Sequence, residues 1–576
     1  AVKYLSTTCI NDRGLILSID GDWRRELPRW DLIVIDEAQD MTLLYFRLVR
    51  KLVESMPMIQ YCIIGDDKQS IYDFNNADSR FILLADRVFN SHIPWQKITL
   101  STSYRVNDLN AAFVNKCLLG YEKICAVVPG RYKPRYIIDN MFDPLVMWNE
   151  LQYYYSLGYK SSDIFLIAPS VRSLSSPVRI FANLATVKGI PIFVPNSDDE
   201  QIDESVLGSK LVFSTYHQVK GLERKAVLIC GIDSTYFDFF KRGAPHGVCP
   251  NEVYVATTRA LELMTIFHHY ENNFIQCMNR RHLTQTTHFI ESRRLNVKAT
   301  VAVPKRKYAV SDLCRHIPID VIMRVMTILT HREIQPVGNK IKTKSIIAGK
   351  TVGDETLSEA VADITGTAIP MAFEHSITGK IRLIKQLRVV AGELRYEELV
   401  QALATVSIPK LLKTAAKNNA TKSGYLFKVA QIAKYDWIDT DTIRQTNERL
   451  RAQIINPRMA AFEVKYDSED LYGFVDCMDH ASNTLWEFKC THTLEDIHLV
   501  QSALYKILFY DHAREVCLKL RSEGFETRET LAQAEAMRCL CYNILTEQII
   551  EVTATIDQLR AVKDILIAHK RAVIDK

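Results

Sequence analysis

The sequence predicts an α/β fold with a largely parallel sheet in its first half. Over about the first 285 residues, short apolar runs of strand length alternate with amphipathic helical patterns. A second strand-rich region near residue 460 precedes a long helical pattern, which indicates another α/β unit. The predicted strands of the first half are Leu32–Ile35, Ile59–Ile64, Ile164–Ala168, Ile190–Val194, Leu211–Ser214 and Ala226–Cys230.

The second half begins with a change in composition. Residues 291–350 contain 13 Lys/Arg against 4 Asp/Glu. Such an excess is typical either of a solvated linker or of a nucleic-acid path. The pattern that follows is helical over Ser358–Leu450, strand-rich over Met459–Lys489 and helical over Leu494–Arg514, with strands at Arg538–Ile544 and Ile549–Thr553 before a final helix.

The composition excludes several classes of protein. Of the 576 residues, 47% are hydrophobic and 24% charged, which permits real cores and excludes disorder as the main state. No apolar run approaches the roughly 18 residues of a transmembrane helix, and no signal peptide is recognisable. The 13 cysteines form no disulfide or zinc framework, which favours a reducing compartment. The net charge of +5 is too small to indicate which kind of partner the protein binds.

The most distinctive local pattern is Leu-Ile-Val-Ile-Asp-Glu-Ala-Gln-Asp at residues 32–40. A buried strand ending in Asp36 and Glu37 puts two carboxylates at the edge where α/β sheets bind ligands. Asp36 could hold Mg²⁺ and Glu37 could polarise an attacking water, as phosphoryl transfer requires. The alternative is an ordinary acidic cap at a helix N-terminus.

Four further segments follow in order: Gly65–Asp78, Leu100–Arg105, Val212–Glu223 and Glu252–Ala260. Together with residues 32–40 they resemble motifs II to VI of superfamily 1 helicases of the UvrD/Rep type. The resemblance implies RecA-like lobes of the P-loop NTPase fold, ATP and Mg²⁺ as cofactors, and DNA as partner, mainly single-stranded.

The resemblance also implies roles for individual residues. Gln69 matches the glutamine that senses the γ-phosphate, and Glu223 the glutamate that binds the ribose hydroxyl. Arg105 and Arg259 match two arginines that reach the γ-phosphate from the second lobe, where they meet the charge that develops during transfer. Gly221 permits a close backbone approach to the nucleotide.

Three further residues are candidates for contacts with the nucleotide or with DNA. Tyr72 and Phe74 stand where the family places aromatic side chains near the nucleotide and the DNA strand, and stacking on bases is tolerant of sequence. The alternative for both is core packing. His217 could contact a DNA phosphate, or it could be a surface histidine with no role.

The chain departs from the family in two respects. It contains no Gly-x-x-x-x-Gly-Lys-[Ser/Thr] loop, and only 35 residues precede Asp36. Because that loop lies far upstream of motif II in the family, we expect it in a missing N-terminal part; the start at Ala1 likewise suggests a processed chain or a fragment. The interval from about Arg131 to Gly208 also has no room for the large inserted subdomain of relatives.

A second group of polar residues occurs in the C-terminal half. Asp476 and Glu487 lie on two predicted strands, with Lys489 on the same strand face as Glu487. Two carboxylates can bind Mg²⁺, and the lysine can orient or help deprotonate a water. Gln501 and Tyr505 share one face of the next helix. This Gly-x-x-Asp, Glu-x-Lys, Gln-x-x-x-Tyr series resembles the RecB-like branch of the PD-(D/E)xK nucleases, which implies a restriction-endonuclease-like domain.

The nuclease resemblance extends to one earlier helix. Glu374 is the candidate for a third acid on the metal side, with an ordinary surface glutamate as the alternative. The cysteine spacing does not fit the iron–sulfur relatives, so we predict no cluster. The predicted domains are the C-terminal part of a first motor lobe (1–98), a second lobe (99–285), a basic linker (286–304) and a nuclease domain (305–576).

These features together predict an ATP-dependent DNA helicase or translocase with Mg²⁺-dependent nuclease activity, in DNA repair, recombination or replication. One alternative is a nuclease with a degenerate or regulatory helicase remnant, and another is a non-catalytic DNA-binding scaffold. The expected location is intracellular: a bacterial cytoplasm, a nucleus or a viral replication site. The sequence leaves the oligomeric state open.

Overall fold

The computed structural model describes residues 29–575, apart from 73–75, 172–175, 196–203, 242–243, 246, 299–306, 315–316, 380, 382–406, 455 and 524. At its N-terminal end, strands β1 (Leu32–Ile35) and β2 (Gln60–Ile63) pair in parallel. Both strands were predicted, β1 with the same bounds. The expectation that β1 is buried was wrong for the described residues, because Leu32 and Val34 are 52% and 54% exposed. The two strands place residues 36–40 and 64–70 side by side at one edge of this first lobe.

A seven-stranded parallel sheet forms the centre of the second lobe. Its order is β11-β5-β10-β9-β6-β8-β7, and every neighbouring pair is parallel. Such strands are apolar along their whole length because helices cover both faces, and all five residues of β6 and of β8 are buried. The strands are β5 (Arg135–Asp139), β6 (Ile164–Ala168), β7 (Ile192–Phe193), β8 (Leu211–Thr215), β9 (Arg224–Cys230), β10 (Ala260–His269) and β11 (His288–Glu291), with a small pair β3 (Thr102–Ser103) and β4 (Cys125–Ala126) beside them.

A second, mixed sheet occupies the C-terminal part. Its order is β12-β17-β18-β19-β20-β13, and β16 pairs with β17. Its strands are β12 (Tyr308–Ala309), β13 (His331–Gln335), β16 (Ala460–Asp467), β17 (Leu471–Asp479), β18 (Thr484–Lys489), β19 (Arg538–Asn543) and β20 (Ile549–Val552); β14 (Ile346–Val352) and β15 (Glu355–Ala360) form a separate hairpin. Apolar clusters cover both faces of the mixed sheet. The order of strands and helices over residues 460–575 is the predicted one except for the helix Arg528–Glu535, which was not predicted.

Helices fill the space between these sheets. They are α1 (Leu43–Val53), α2 (Arg80–Leu83), α3 (Ala85–Val88), α4 (Asp108–Phe113), α5 (Pro144–Ser156), α6 (Pro177–Val187), α7 (Thr235–Phe239), α8 (Asn251–Thr257), α9 (Leu283–Thr286), α10 (Val310–Leu313), α11 (Ile319–Ile328), α12 (Ala362–Thr378), α13 (Ile408–Ser423), α14 (Phe427–Gln431), α15 (Thr440–Gln453), α16 (Asp496–Ser522), α17 (Arg528–Glu535) and α18 (Ile556–Asp575). None of the helices within the described ranges is long and apolar enough to cross a membrane.

The C-terminal part packs against the seven-stranded sheet through buried polar contacts. Lys210 Nζ lies 2.6 Å from Glu359 Oε1, and their side chains are 1% and 2% exposed. The Gln431 side chain donates to the carbonyl of Ile192 at 2.9 Å and accepts its N–H at 2.8 Å. Because buried polar groups of this kind are costly to separate, these contacts join the two parts of the chain.

Candidate functional site

The first candidate site lies where β1 and β2 end. Asp36 and Glu37 are exposed, and the Glu37 N–H donates to Asp36 Oδ1 at 2.8 Å. Gln39 is buried; its amide donates to Glu37 Oε2, and its Oε1 accepts the N–H of Asp66 at 3.0 Å. Gln39 therefore ties the segment after β1 to the segment after β2. Sequence reasoning did not single it out, although it lies inside the run at residues 32–40.

Gln69 lies in the segment after β2. Its Nε2 donates to Asp66 Oδ2 at 3.1 Å. Lys123, from the second lobe, lies 3.0 Å from Asp66 Oδ1, and Tyr254 donates to Asp66 Oδ2 at 3.4 Å. Burial alone would raise the pKa of Asp66, but hydrogen bonds from Lys123 and Gln69 lower it. Asp66 is therefore ionised at neutral pH. It links Gln69 to Lys123 and Tyr254 of the second lobe.

Lys220 of the second lobe reaches further into the first. Its Nζ contacts the Asp40 carboxylate, donates to the carbonyl of Gln69 at 2.8 Å and lies 4.8 Å from the Tyr72 ring centroid. The Lys220 side chain is only 7% exposed. It is a cross-lobe contact that sequence reasoning missed, because no local pattern assigns a lysine partners about 150 and 180 residues away.

The two predicted arginines lie near each other. Arg259 is 1% exposed, and its Nε donates to the carbonyl of Val255 at 2.9 Å. Burial first, and then repulsion by Arg105, lower the pKa of Arg259 to about 10, while Glu223 and Glu37 act in the opposite direction. Arg105 Nε lies 3.6 Å from Glu223 Oε2. Arg259 is therefore within electrostatic reach of Arg105, Glu223 and Glu37.

The remaining predicted residues of the first site are Gly221, Tyr72, His217 and Phe74. Gly221 has a φ of 82°, in the left-handed region that favours glycine. The Tyr72 hydroxyl donates to the carbonyl of His217 at 3.5 Å, and burial, followed by Asp40 and Glu37, raises the pKa of Tyr72 to about 12. The imidazole of His217 is 3.8 Å from the Glu252 carboxylate. Phe74 lies outside the described residues.

The second candidate site lies on the mixed sheet. The antiparallel register pairs Cys477 with Trp486, and continuing it by one residue sets Asp476 opposite Glu487. On the other side of β17, the pairs on either side of Glu463 set that residue opposite Asp476. Glu463, Asp476 and Glu487, here termed the carboxylate row, therefore lie side by side on β16, β17 and β18. Residues opposite one another have Cβ atoms about 4.5–5.5 Å apart.

Lys489 lies beside this row. Its Nζ donates to Glu487 Oε1 at 2.8 Å and to Gln501 Oε1 at 2.9 Å. Burial alone would lower the pKa of Lys489, but Glu487 and Asp476 raise it, so the lysine is a cation at neutral pH. Tyr505 is buried and is hydrogen-bonded with Gln501. The structure thus brings Asp476, Glu487, Lys489, Gln501 and Tyr505 together.

Gly473, the first residue of the Gly-x-x-Asp pattern, lies against the ring of Tyr505. A Cβ atom at residue 473 would lie 2.8 Å from Cε1 of Tyr505. Only glycine leaves room for the tyrosine ring to pack against the strand. The first residue of the Gly-x-x-Asp pattern therefore has a steric reason.

The acids of this site influence one another. Burial, followed by Asp476, raises the pKa of Glu487 to about 8. Burial raises the pKa of Glu463 to about 7, with Asp476 and Glu374 adding to the shift. Glu374 is 2% exposed on α12 and is thus not an ordinary surface glutamate. Within the described ranges, no three His, Cys, Asp or Glu side chains converge closely enough to hold a metal ion as they stand.

Comparisons with known proteins bear on the first lobe. Residues 20–90 match the UvrD/REP helicase N-terminal domain, and this match supports a DNA helicase domain there. The chain is also similar to a solved structure, the C-terminal domain of a possible DNA helicase from Lactobacillus plantarum WCFS1. That likeness has 13% identity and a TM-score of 0.23, covers 33% of this chain and 99% of that one, and is too low to bear on the fold. No curated protein matches the chain.

Proposed function

We propose that this chain is an ATP-dependent DNA translocase or helicase joined to a Mg²⁺-dependent DNA nuclease. The observation that carries the motor part is the placement of Arg259 within electrostatic reach of Glu37, with Arg105 3.6 Å from Glu223, in a chain whose residues 20–90 match a helicase domain. The observation that carries the nuclease part is the hydrogen bond from the Phe488 N–H, next to Glu487, to Asp476 Oδ2 at 2.7 Å, with Lys489 bonded to Glu487.

In the motor, charge has to be stabilised while the γ-phosphoryl group is transferred to water. Glu37 would orient that water, and Asp36 would hold Mg²⁺ on the phosphates. Arg105 and Arg259 are well suited to stabilise the developing negative charge only when the lobes are closed. Asp66 and Lys220 join the lobes in that arrangement. Gln69 then couples the nucleotide site to the segment that carries Tyr72.

The DNA strand would pass beside Gly65–Asp78 and Val212–Glu223, the segments that resemble motifs III and V. Tyr72 and Phe74 are the candidates for stacking on bases, and His217 for a phosphate contact. Stacking is independent of base identity, which suits movement along a single strand of any sequence.

The residues of the second site suit a divalent cation. Carboxylate oxygens are the ligands that Mg²⁺ prefers, and Glu487 Oε2 is buried without a hydrogen-bond partner among the described residues. Asp476 and Glu487 would hold the ion, with Glu374 as a further acid. Bound there, Mg²⁺ would supply Lewis-acid stabilisation of the scissile phosphate.

The protein groups supply the rest of the cleavage chemistry. Water adds to phosphorus and loses one proton to solvent as the P–O bond to the leaving oxygen breaks, and that oxygen takes up a proton from solvent. Lys489 is held as a cation, which favours orienting water and stabilising phosphate charge over accepting a proton. Gln501 fixes the lysine, and Tyr505 packs against Gly473 behind it.

Two alternatives differ in which site is active. A nuclease with a regulatory motor remnant would cut DNA without needing Glu37. A non-catalytic scaffold would bind DNA with neither activity. The retained charges Asp36, Glu37, Asp476, Glu487 and Lys489 favour activity at both sites.

One variant at each site distinguishes the proposed function from the two alternatives. Glu37→Gln should abolish ATP hydrolysis by the whole product of the gene and preserve Mg²⁺-dependent cleavage of labelled single-stranded DNA. Lys489→Met should do the reverse, with cleavage lowered about 100-fold or more. Lys465→Met is the matched control, because Lys465 is 57% exposed on the same sheet. Unchanged cleavage by Lys489→Met would exclude the nuclease assignment, and unchanged hydrolysis by Glu37→Gln would exclude the motor assignment.

A further inference from the structure

The basic stretch at residues 291–350 ends in a segment with a regular arrangement of charge. Residues 334–353 contain four lysines and no Asp or Glu, which gives a formal charge of +4. Three of these lysines, here termed the lysine track, occupy alternate positions: Lys340, Lys342 and Lys344. All three are exposed, whereas the intervening Ile341 and Thr343 are half-buried. The lysine track therefore lies on the solvent side of its segment.

The spacing of the lysine track suits a chain of phosphates. Its alternation of exposure has the period of an extended segment, in which every second side chain lies on the same side. At about 3.2–3.4 Å per residue, neighbouring lysines of the track are attached about 6.5 Å apart. A single strand of nucleic acid presents one negative charge per nucleotide along its backbone. Lysine binds such phosphates as a compact point charge, whatever the base.

The lysine track has no acidic partner among the residues that the structure describes. The acid beside the start of its segment, Glu547, accepts the N–H of Asn339 at 3.1 Å and lies 3.4 Å from Arg449. That carboxylate is therefore occupied by other groups. The three ammonium charges of the track remain available for a ligand outside the described part of the chain.

Backbone hydrogen bonds place the lysine track beside the second candidate site. The Ile341 N–H donates to the carbonyl of Leu545 at 2.9 Å. The preceding residue, Ile544, donates its N–H to the carbonyl of Lys489 at 2.8 Å. Arg449 donates to the carbonyls of Ile544 and Leu545 at 2.9 and 3.0 Å, which holds this pair of residues in place. Only that pair lies between the segment of the track and the end of β18.

We propose that the lysine track binds the phosphates of a single DNA strand and leads that strand to the cleavage site at Lys489. This inference rests on the proposed nuclease function and deepens it, because it specifies the surface over which the substrate arrives. The buried acids beside Lys489 repel a polyanion when they are ionised, and cations nearby offset that repulsion. An acidic protein segment is the competing ligand, but the adjacent cleavage residues favour DNA.

The test is binding of a fluorescein-labelled single strand of DNA to the full chain, measured by fluorescence anisotropy in EDTA over a range of salt concentrations. Replacing the whole lysine track by glutamine should weaken binding. It should also reduce the slope of log K against log salt by about 2, because each phosphate contact on a single strand contributes about 0.7. A charge-matched control replaces three exposed cations in the last third of α16 and in α17: Arg514→Gln, Lys519→Gln and Arg528→Gln. The control should keep the wild-type slope.

Cleavage provides a second readout. At saturating DNA, the track variant should keep the wild-type maximal rate of Mg²⁺-dependent cleavage while its KM rises, because only binding of the strand is weakened. An unchanged KM would overturn the route to the cleavage site. Wild-type affinity and slope in the track variant would overturn the inference, and so would an equal loss in the control variant.

The remaining outcomes separate this inference from its rivals. Loss of binding to poly-glutamate without loss of DNA binding would overturn it in favour of an acidic protein partner. If Asp476→Asn left cleavage unchanged, the nuclease proposal would fail, whereas the anisotropy slopes would still decide whether the lysine track binds DNA. The two failures are therefore distinguishable.

Discussion

The Phe488 N–H on β18 donates to Asp476 Oδ2 on β17 at 2.7 Å, which places the Asp476 carboxylate beside Glu487. This bond holds the Asp476 carboxylate next to the position of Glu487 on β18. Lys489 holds Glu487 from the opposite side. The site is therefore set by sheet register as well as by the spacing of residues along the chain.

The carboxylate row should make stability depend on pH. Burial and mutual repulsion raise the pKa of Glu463 to about 7 and of Glu487 to about 8, from an ordinary value near 4.5. Between about pH 5 and 8 the folded state thus holds more protons than the unfolded state, so stability falls as pH rises through this window. Each group contributes at most about 1.4 kcal/mol per pH unit.

Hydrogen exchange of β17 amides in metal-free protein, corrected for intrinsic rates, measures this effect. Protection should decrease from pH 5.5 to pH 8, and Glu487→Gln should flatten the decrease. Protection that increases over the same range would contradict the assigned pKa directions.

Gly473→Ala should damage the second site through its packing. The new Cβ would lie 2.8 Å from the Tyr505 ring, and such overpacking costs about 1–3 kcal/mol. Gly366→Ala is the control, because nothing lies within 4 Å of its Cβ and alanine is the better helix former by about 0.5–1 kcal/mol. Thermal unfolding should move in opposite directions in the two variants. A stable, fully active Gly473→Ala would show that the close packing is dispensable.

Lys220→Met should loosen the contact between the lobes. It removes the ion pair with Asp40 and the bond to the Gln69 carbonyl, and the loss of a hydrogen bond made by a charged group costs about 1.5–3 kcal/mol. Faster proteolysis within residues 36–72 is the expected readout. Lys225→Met is the control, because that lysine is 52% exposed and pairs with Asp163 within the second lobe. Equal proteolysis of the two variants would deny Lys220 a cross-lobe role.

Arg259→Ala should affect ATP hydrolysis more than nucleotide binding. An arginine that meets transition-state charge is worth about 10³–10⁵ in rate. The measurement is the DNA-stimulated ATPase rate of the whole gene product, with the exposed Arg281→Ala as the control. A loss of nucleotide affinity with an unchanged maximal rate would instead assign Arg259 to ground-state binding.

Local pattern predicted much of the fold because buried strands have a clear signature. Leu32–Ile35 and Ile164–Ala168 have the predicted bounds, since both are apolar runs between polar segments. The helix after β18 was predicted to end near Arg514 but continues to Ser522, because its later turns alternate charged and apolar residues without a breaker. Strand β5 was not predicted, since its apolar core Tyr136–Ile138 is short and flanked by charged residues.

The candidate sites were predicted only as far as the motifs extend. Asp476, Glu487 and Lys489 are close together in sequence, so their approach follows from one hairpin. Glu463 lies on the preceding hairpin, of β16 and β17, and it was not singled out because it stands outside the motif series. Lys220 depends on how two lobes approach each other, which no local pattern contains.

The most direct test of the account is Mg²⁺-dependent cleavage of labelled single-stranded DNA by the wild-type chain and by Asp476→Asn. The substitution keeps the shape of the side chain and removes the charge needed at the carboxylate row. Cleavage should require Mg²⁺ in the wild type, be lost in Asp476→Asn and persist in the control Glu448→Gln, whose carboxylate is 60% exposed on α15. Equal Mg²⁺-dependent cleavage by wild type and Asp476→Asn, or no cleavage by wild type under any divalent cation, would contradict it.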